Sequence, residues 1–271
     1  MNTNSRTNSA IILFLVLSLG LSGCYWLLMH FYPEGSLPGA VEMVLWGILR
    51  GFGPAIAAII ASLYMAGTAG LRELIASVLR WRVPGWLWLL AFFGPMILVG
   101  LALVGAHLFG NLSLELKGAF TPKLVIVFFA MLIADGPLGE EVGWRGFLLP
   151  ALLHKWGPIL ASIVVGVVWY LWHVPLYAVD GKGAPLPFLA DCVALSFVFT
   201  WFFLKSGHST LLIIFLHNCS NYAIYVSRIF FPQFKDSDLA HYIYYALILI
   251  VAIWAVVALC RTPARRQEAV A

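Results

Sequence analysis

Long stretches without a single charged side chain recur along this chain, and they decide which solvent it can fold in. Residues 10–31 contain no Asp, Glu, Lys or Arg, and neither does the run from Leu124 to Ile133. A helix needs about 20 predominantly apolar residues to cross the hydrocarbon of a bilayer. The chain as a whole is 62% hydrophobic and 10% charged, with a mean hydropathy of +0.94. Soluble domains carry roughly 25% charged residues. The pattern predicts an all-α polytopic membrane protein of about eight transmembrane helices around a polar intramembrane cavity. The 271 residues leave no room for a separate soluble domain, so 1–271 is read as one membrane domain.

The expected spans are 10–31, 44–66, 86–108, 124–153, 159–179, 188–204, 210–229 and 242–260. Leu21-Ser22-Gly23-Cys24 has the look of a lipoprotein cleavage site, but the apolar run continues past Cys24 through Met29. That length suits a span better than a signal peptide, whose apolar part is about 7–15 residues. Between the second and third spans, Leu71, Leu74, Ile75, Val78 and Leu79 recur at helical spacing beside Arg72, Arg80 and Arg82. This predicts an amphipathic helix on the membrane surface. With eight spans both termini lie on one side. That side would hold Arg6, Arg72, Arg80, Arg82, Arg145, Lys155, Lys205, Arg261, Arg265 and Arg266, most of the 16 basic residues. Positive charge collects on the cytoplasmic face, so both termini and the cavity mouth are expected there. The net charge of +4 needs no nucleic acid to explain it. The four cysteines are far apart with no CxxC spacing, which predicts buried thiols rather than a zinc knot or a disulfide framework.

Against this apolar background the chemistry is concentrated in three places. Gly139-Glu140-Glu141-Val142-Gly143-Trp144-Arg145 places two carboxylates and an arginine beside an uncharged run. Charges near hydrocarbon cost about 2.5 kcal/mol or more each, so they face partners or wet cavities. Glu141 and Arg145 stand at i, i+4 with Glu first, the favoured orientation for a helical ion pair. Glu140 lies about 100° away around the helix. A structural ion pair would explain one glutamate and one arginine. It does not explain the second glutamate, which is left to act as a general base. Trp169 and His173 follow at i, i+4 near the end of the fifth span. His217 and Asn221 stand at i, i+4 in the seventh. Intramembrane polar pairs can simply tie helices together, at about 0.6–2 kcal/mol per hydrogen bond. They can also donate hydrogen bonds to a developing oxyanion. Asp135 is read as helix-break or cavity lining and Asp191 as near the outer surface. His30, His107, His154, His208 and His241 are read as interfacial.

EExxxR, then aromatic-x-x-x-His, then His-x-x-x-Asn on successive spans resembles the CPBP family of CAAX-prenyl proteases and bacteriocin-processing enzymes, also called Abi. The resemblance covers about 125–225, within a motif-bearing core of 124–229. The first and last helices, 10–31 and 242–260, carry no signal and are expected to be peripheral. The family usually has Phe where Trp169 stands. The resemblance implies an intramembrane endopeptidase acting on a prenylated CAAX-type tail or another small peptide. It implies catalytic roles for Glu140 and His173, an oxyanion site at His217 and Asn221, and supporting roles for Glu141, Arg145 and Trp169. The family is often labelled metalloprotease. Glu140, His173 and His217 could hold a Zn²⁺, although no HExxH is present and an acid–base site needs no metal. The alternatives from other classes are a non-catalytic binding or bacteriocin-immunity protein on the same fold and a proton-coupled transporter. The absence of an internal repeat speaks against the last. The expected partners are a peptide or lipidated peptide and the lipid bilayer, with no nucleic acid. The expected location is a bacterial inner membrane.

Overall fold

The structure, a computed structural model, describes residues 3–32, 36–45, 49, 51–134, 136–179 and 186–261. Every regular element among them is helical. In chain order these are α1 (Thr3–Phe31), α2 (Gly39–Leu45), α3 (Gly53–Val78), α4 (Gly85–Gly110), α5 (Pro122–Ala134) and α6 (Pro137–Gly143). A π-helical turn (Trp144–Leu148) follows, then α7 (Leu149–Val179), α8 (Leu186–Lys205), α9 (Thr210–Phe230), a 3₁₀ turn (Pro232–Phe234) and α10 (Asp238–Cys260). Arg50, Asp135, the loop at 180–185, and Arg265 and Arg266 lie outside the described residues.

Six stretches among the described residues are long and apolar enough to cross a membrane. One of them, Pro122–Pro175, runs for 54 residues. It is broken at Gly136 and again at Gly157, both with positive φ, and so accounts for the fourth and fifth expected spans. α9 is of spanning length but carries His217, Asn218, Ser220 and Asn221, and its composition keeps it out of the six. The result is a multi-pass α-helical membrane protein.

The second expected span is corrected. The run from Val44 to Ala66 is not one α-helix: Phe52 is non-helical at φ −105 and ψ 3, and α3 starts only at Gly53, with Pro54 in its first turn. Proline is suited to that position because its missing N–H would be unpaired there anyway. α3 then bends at Ala66–Gly67, where Gly67 has φ +61 and ψ −145. Beyond the bend, Gly70 and Leu74 turn inward while Arg72, Glu73, Ile75 and Leu79 are exposed, as an amphipathic surface helix requires.

Small residues let the helices approach, the usual device where lipid offers no hydrophobic drive. Ala10, Phe14, Ser18 and Ser22 of α1 are buried, as are Gly53, Ala57, Ala58 and Ala61 of α3, and these two helices pack along much of their length. Gly166 of α7 meets the backbone of Val193 on α8. Two apolar clusters result. The larger centres on Trp144, Leu148, Trp169, Phe199 and Leu212, with Phe14 of α1 packed against Trp144 and Phe147. The smaller joins α4, α9 and α10 through Leu103, Ala223, Tyr244 and Ile248.

The start of α1 and the end of α10 lie at one end of the bundle. Arg6 donates to the Tyr64 carbonyl and Lys155 pairs with Asn8 there, and Trp254 meets Trp201 towards the same end. A cavity of about 690 Å³ lies in the other half. Its walls reach Tyr177 near the end of α7, Asp191 near the start of α8, Arg228 near the end of α9 and His241 near the start of α10. The cavity therefore extends away from the terminal face. A mouth on the same side as the termini, expected from charge counting, does not agree with this geometry.

Candidate active site

The site is built on a distorted helix start. Gly136 caps α6 with φ +96, and a side chain there would strike the Glu140 carboxylate. A Cβ at Gly139 would run into the Gly51 carbonyl, and one at Gly143 would lie 2.5 Å from Pro54 Cβ. These glycines let α6 lie directly on the Gly51–Pro54 backbone. The chain then widens into the π turn that carries Arg145. Such turns accommodate an extra residue and often occur at functional sites. The consequence is burial of all three charged side chains: Glu140 is 4% exposed, and Glu141 and Arg145 are 0%.

Glu141 is fully engaged. Arg145 Nη1 donates to both of its oxygens at 2.9 Å, and His217 Nδ1 lies 2.8 Å from Oε1. The remaining guanidinium surface is covered by aromatic faces, with Trp169 and Phe199 each 4.8 Å from Cζ. Arg145 Nε and Nη2 have no hydrogen bond, so these rings are their partners. A dry ion pair of this kind is costly to assemble, and removal of one member leaves an uncompensated charge worth about 3–5 kcal/mol.

Glu140 points elsewhere. Its Oε2 accepts the Trp169 indole N–H at 2.6 Å. The carbonyl of Trp169 pairs with His173 Nδ1 at 2.8 Å. A carbonyl can only accept, so His173 Nδ1 carries the hydrogen and Nε2 is its basic nitrogen. Trp169 thus joins the carboxylate to the imidazole through its side chain and its backbone. The His173 ring is held by Trp172 at 4.8 Å and Phe188 at 5.1 Å. His217 follows the same rule: its Nδ1 hydrogen goes to Glu141, which leaves Nε2 on the other edge of the ring.

α9 divides its polar side chains among three jobs. His217 reaches Glu141, and Asn221 lines the cavity one turn further on. Asn218 donates to the Phe128 carbonyl at 3.0 Å, and Tyr222 donates to the Leu124 carbonyl, so these two tie α9 to α5. Glu140, Trp169, His173, His217 and Asn221 all line the one cavity. Glu141 and Arg145 lie behind that wall.

Three cavity residues escaped the sequence reading. Asp191 and His241, expected near the surface, and Arg228, which no motif marks, all line the cavity with Tyr177, Tyr244 and Tyr245. Arg228 had a legible signal. It continues the stripe His217, Asn221, Tyr225 on one face of α9. His241 had none, because a histidine in the first turn of a helix ordinarily meets headgroups.

The residues were also tested against a zinc ion. Glu140, His173 and His217 do not converge as a zinc set requires: no three His, Cys, Asp or Glu side chains among the described residues do. Glu140 Oε2 takes the Trp169 N–H instead, and the His217 Nδ1 edge is given to Glu141. The zinc reading of these three residues is accordingly not carried forward.

Residues 120–223 match the family model described as Type II CAAX prenyl endopeptidase Rce1-like. That stretch contains all seven residues of the site. CAAX prenyl protease 2 of Methanococcus maripaludis is 31% identical over 109 residues, which cover 36% of this chain and 40% of that protein. Both matches are to CAAX prenyl proteases, and each covers less than half of this chain. The chain spans about 40% of the length of the curated relative it matches.

Proposed function

We propose that the chain is an intramembrane endopeptidase that hydrolyses a peptide bond near the C-terminus of a prenylated CAAX-type or similar small peptide. The observation that carries this reading is that Glu140, His173, His217 and Asn221 all line one cavity. The name of the Methanococcus maripaludis relative points the same way.

In the proposed reaction Glu140, assisted by His173 Nε2, removes a proton from a water molecule, and the hydroxide attacks the substrate carbonyl. Negative charge moves to the carbonyl oxygen. Asn221 Nδ2 and His217 Nε2–H would hold that oxyanion. His217 must be doubly protonated to donate from Nε2, and the Glu141 carboxylate on its other edge supplies the balancing charge. Glu140 or His173 then returns the proton to the leaving amine as the C–N bond breaks. Glu141 and Arg145 act as positioning residues for His217. Apolar walls at Trp172, Phe188 and Phe199 suit an aliphatic or prenylated substrate.

The proposed setting is a bacterial inner membrane with both termini cytoplasmic. The basic side chains gathered at the terminal face, Arg6, Arg72, Arg80, Arg82, Lys155 and Lys205, support that orientation. It puts the cavity on the outer half.

Cleavage of a panel of prenylated and unprenylated peptides by purified protein, with and without chelator, tests the reading. Glu140→Gln is expected to lower turnover by roughly 10²–10⁴ while the protein still folds. Cleavage that survives this substitution would remove Glu140 as the base. No cleavage by well-folded wild type would favour a binding or immunity protein on the same fold.

A further inference from the structure

We propose that Arg228 is the docking point for the C-terminal carboxylate of the substrate, so that the enzyme measures its cut from a free chain end. The inference rests on the endopeptidase reading above and adds a residue and a substrate requirement to it.

His217, Asn221, Tyr225 and Arg228 line the cavity from one face of α9. From His217 to Arg228 is eleven positions, about 16 Å along a helix rising 1.5 Å per residue. An extended peptide advances about 3.3 Å per residue. A three-residue tail beyond the cut bond therefore covers about 10 Å, and an arginine side chain reaches back over the rest. Catalytic pair and guanidinium are separated by the length of a short peptide tail.

Among the described residues, Arg228 is a cavity cation without an anion. It makes no hydrogen bond or ion pair with a described residue, whereas Arg145 has both oxygens of Glu141. An arginine in the last turn of a helix can serve by reaching headgroups, but Arg228 is on the cavity face. His241 lines the same cavity, with Nδ1 on the Ser237 carbonyl and so Nε2 as its second edge. A carboxylate offers the two coplanar oxygens that a guanidinium fork binds. Asp191 complements this. Its Oδ1 is buried without a hydrogen-bond partner in the same cavity. Peptide N–H groups of a tail laid along the cavity are the donors it lacks.

The test uses one S-farnesyl peptide with a three-residue aliphatic tail, made as the free acid and as the C-terminal amide. Binding of each to the intact Glu140→Gln protein is measured by tryptophan fluorescence, and cleavage of each by wild type is measured in parallel. The free acid is expected to bind and to be cleaved at least tenfold better, through KM, the scale of one charge-assisted contact. Arg228→Gln should erase that preference by weakening the acid alone, and Arg228→Lys should restore part of it. Equal handling of acid and amide by wild type overturns the proposal without needing any variant, and it is the result expected if Arg228 binds lipid headgroups. Wild type that cleaves the acid and the amide equally well sinks the carboxylate dock only. Acid-selective binding with no cleavage sinks the endopeptidase reading and leaves the dock standing.

Discussion

The inner and outer ends of the cavity handle charge in opposite ways. At the inner end Glu141, Arg145 and His217 form a closed set, all nearly inaccessible, with two aromatic rings covering the spare guanidinium surface. At the outer end Arg228 and the Asp191 Oδ1 face the same space without partners among the described residues. A buried charge with its partner built in is a structural cost already met, and it holds neighbours in place. A polar group left open in a membrane cavity is a cost that a ligand can relieve. The inner end is thus organised to position His217, and the outer end to receive something that comes and goes.

The sharpest way to break this contrast is to remove one cation from each end. Arg145→Ala leaves the Glu141 carboxylate buried beside His217 and should cost about 3–5 kcal/mol. Thermal unfolding in detergent should show a large fall in Tm or no folded protein. Arg228→Ala should change stability by no more than about 0.5 kcal/mol, as for a site with no native partner. Equal losses from the two substitutions would mean that Arg228 has a structural partner and that the contrast is false.

A second cut tests whether the close backbone contact seats the inner set. Gly139→Ala forces a methyl group into the Gly51 carbonyl, and overpacking of this kind costs about 1–3 kcal/mol. Gly20→Ala on α1 meets nothing within 4 Å and should be neutral or slightly stabilising, since Ala is the better helix former. Comparison of the two Tm values separates crowding from a general intolerance of alanine.

Trp169 sharpens the picture at the level of one hydrogen bond. Trp169→Phe keeps an aromatic wall over Arg145 but removes the N–H that Glu140 accepts. Stability should change little and kcat should fall roughly tenfold, the scale of a hydrogen bond to a charged group. An unchanged kcat would show that the Glu140 carboxylate is held by its other contacts.

Much of the architecture was legible because membranes read composition: uncharged runs of spanning length mark helices whatever their partners. The break inside the second expected span was also written, in Gly51, Gly53 and Pro54, but apolar residues on both sides masked it. The i, i+4 spacings of Glu141 with Arg145, Trp169 with His173 and His217 with Asn221 placed each pair on one helix face. They could not show that His217 crosses to Glu141, because that contact joins α6 to α9 and depends on the backbone approach at Gly139 and Gly143. The end helices carried no motif, yet Phe14 of α1 packs on Trp144 and α10 brings His241, Tyr244 and Tyr245 to the cavity. A lone aromatic or histidine acquires such a role only through its neighbours in space. The cavity direction was misjudged for a related reason. Charge counting orients the loops and says nothing about which half of the bundle is hollow.

The smallest expected effect lies at the terminal end, in a loop where the neighbours of a histidine are cations. His208 sits between α8 and α9 with φ +68, its ring stacked on Phe203 at 4.9 Å. Burial pushes its pKa below the ordinary 6.5, and Arg80 and His154 push the same way. The unfolded chain therefore takes up this proton at a higher pH than the folded one. The stability it contributes is complete above about 6.5 and is lost as pH falls through the lower folded value. Wild type should lose Tm between pH 7 and pH 5, and His208→Asn should lose less over the same interval, because Asn tolerates positive φ and does not titrate. An identical loss in both proteins would show that groups other than His208 carry the acid sensitivity.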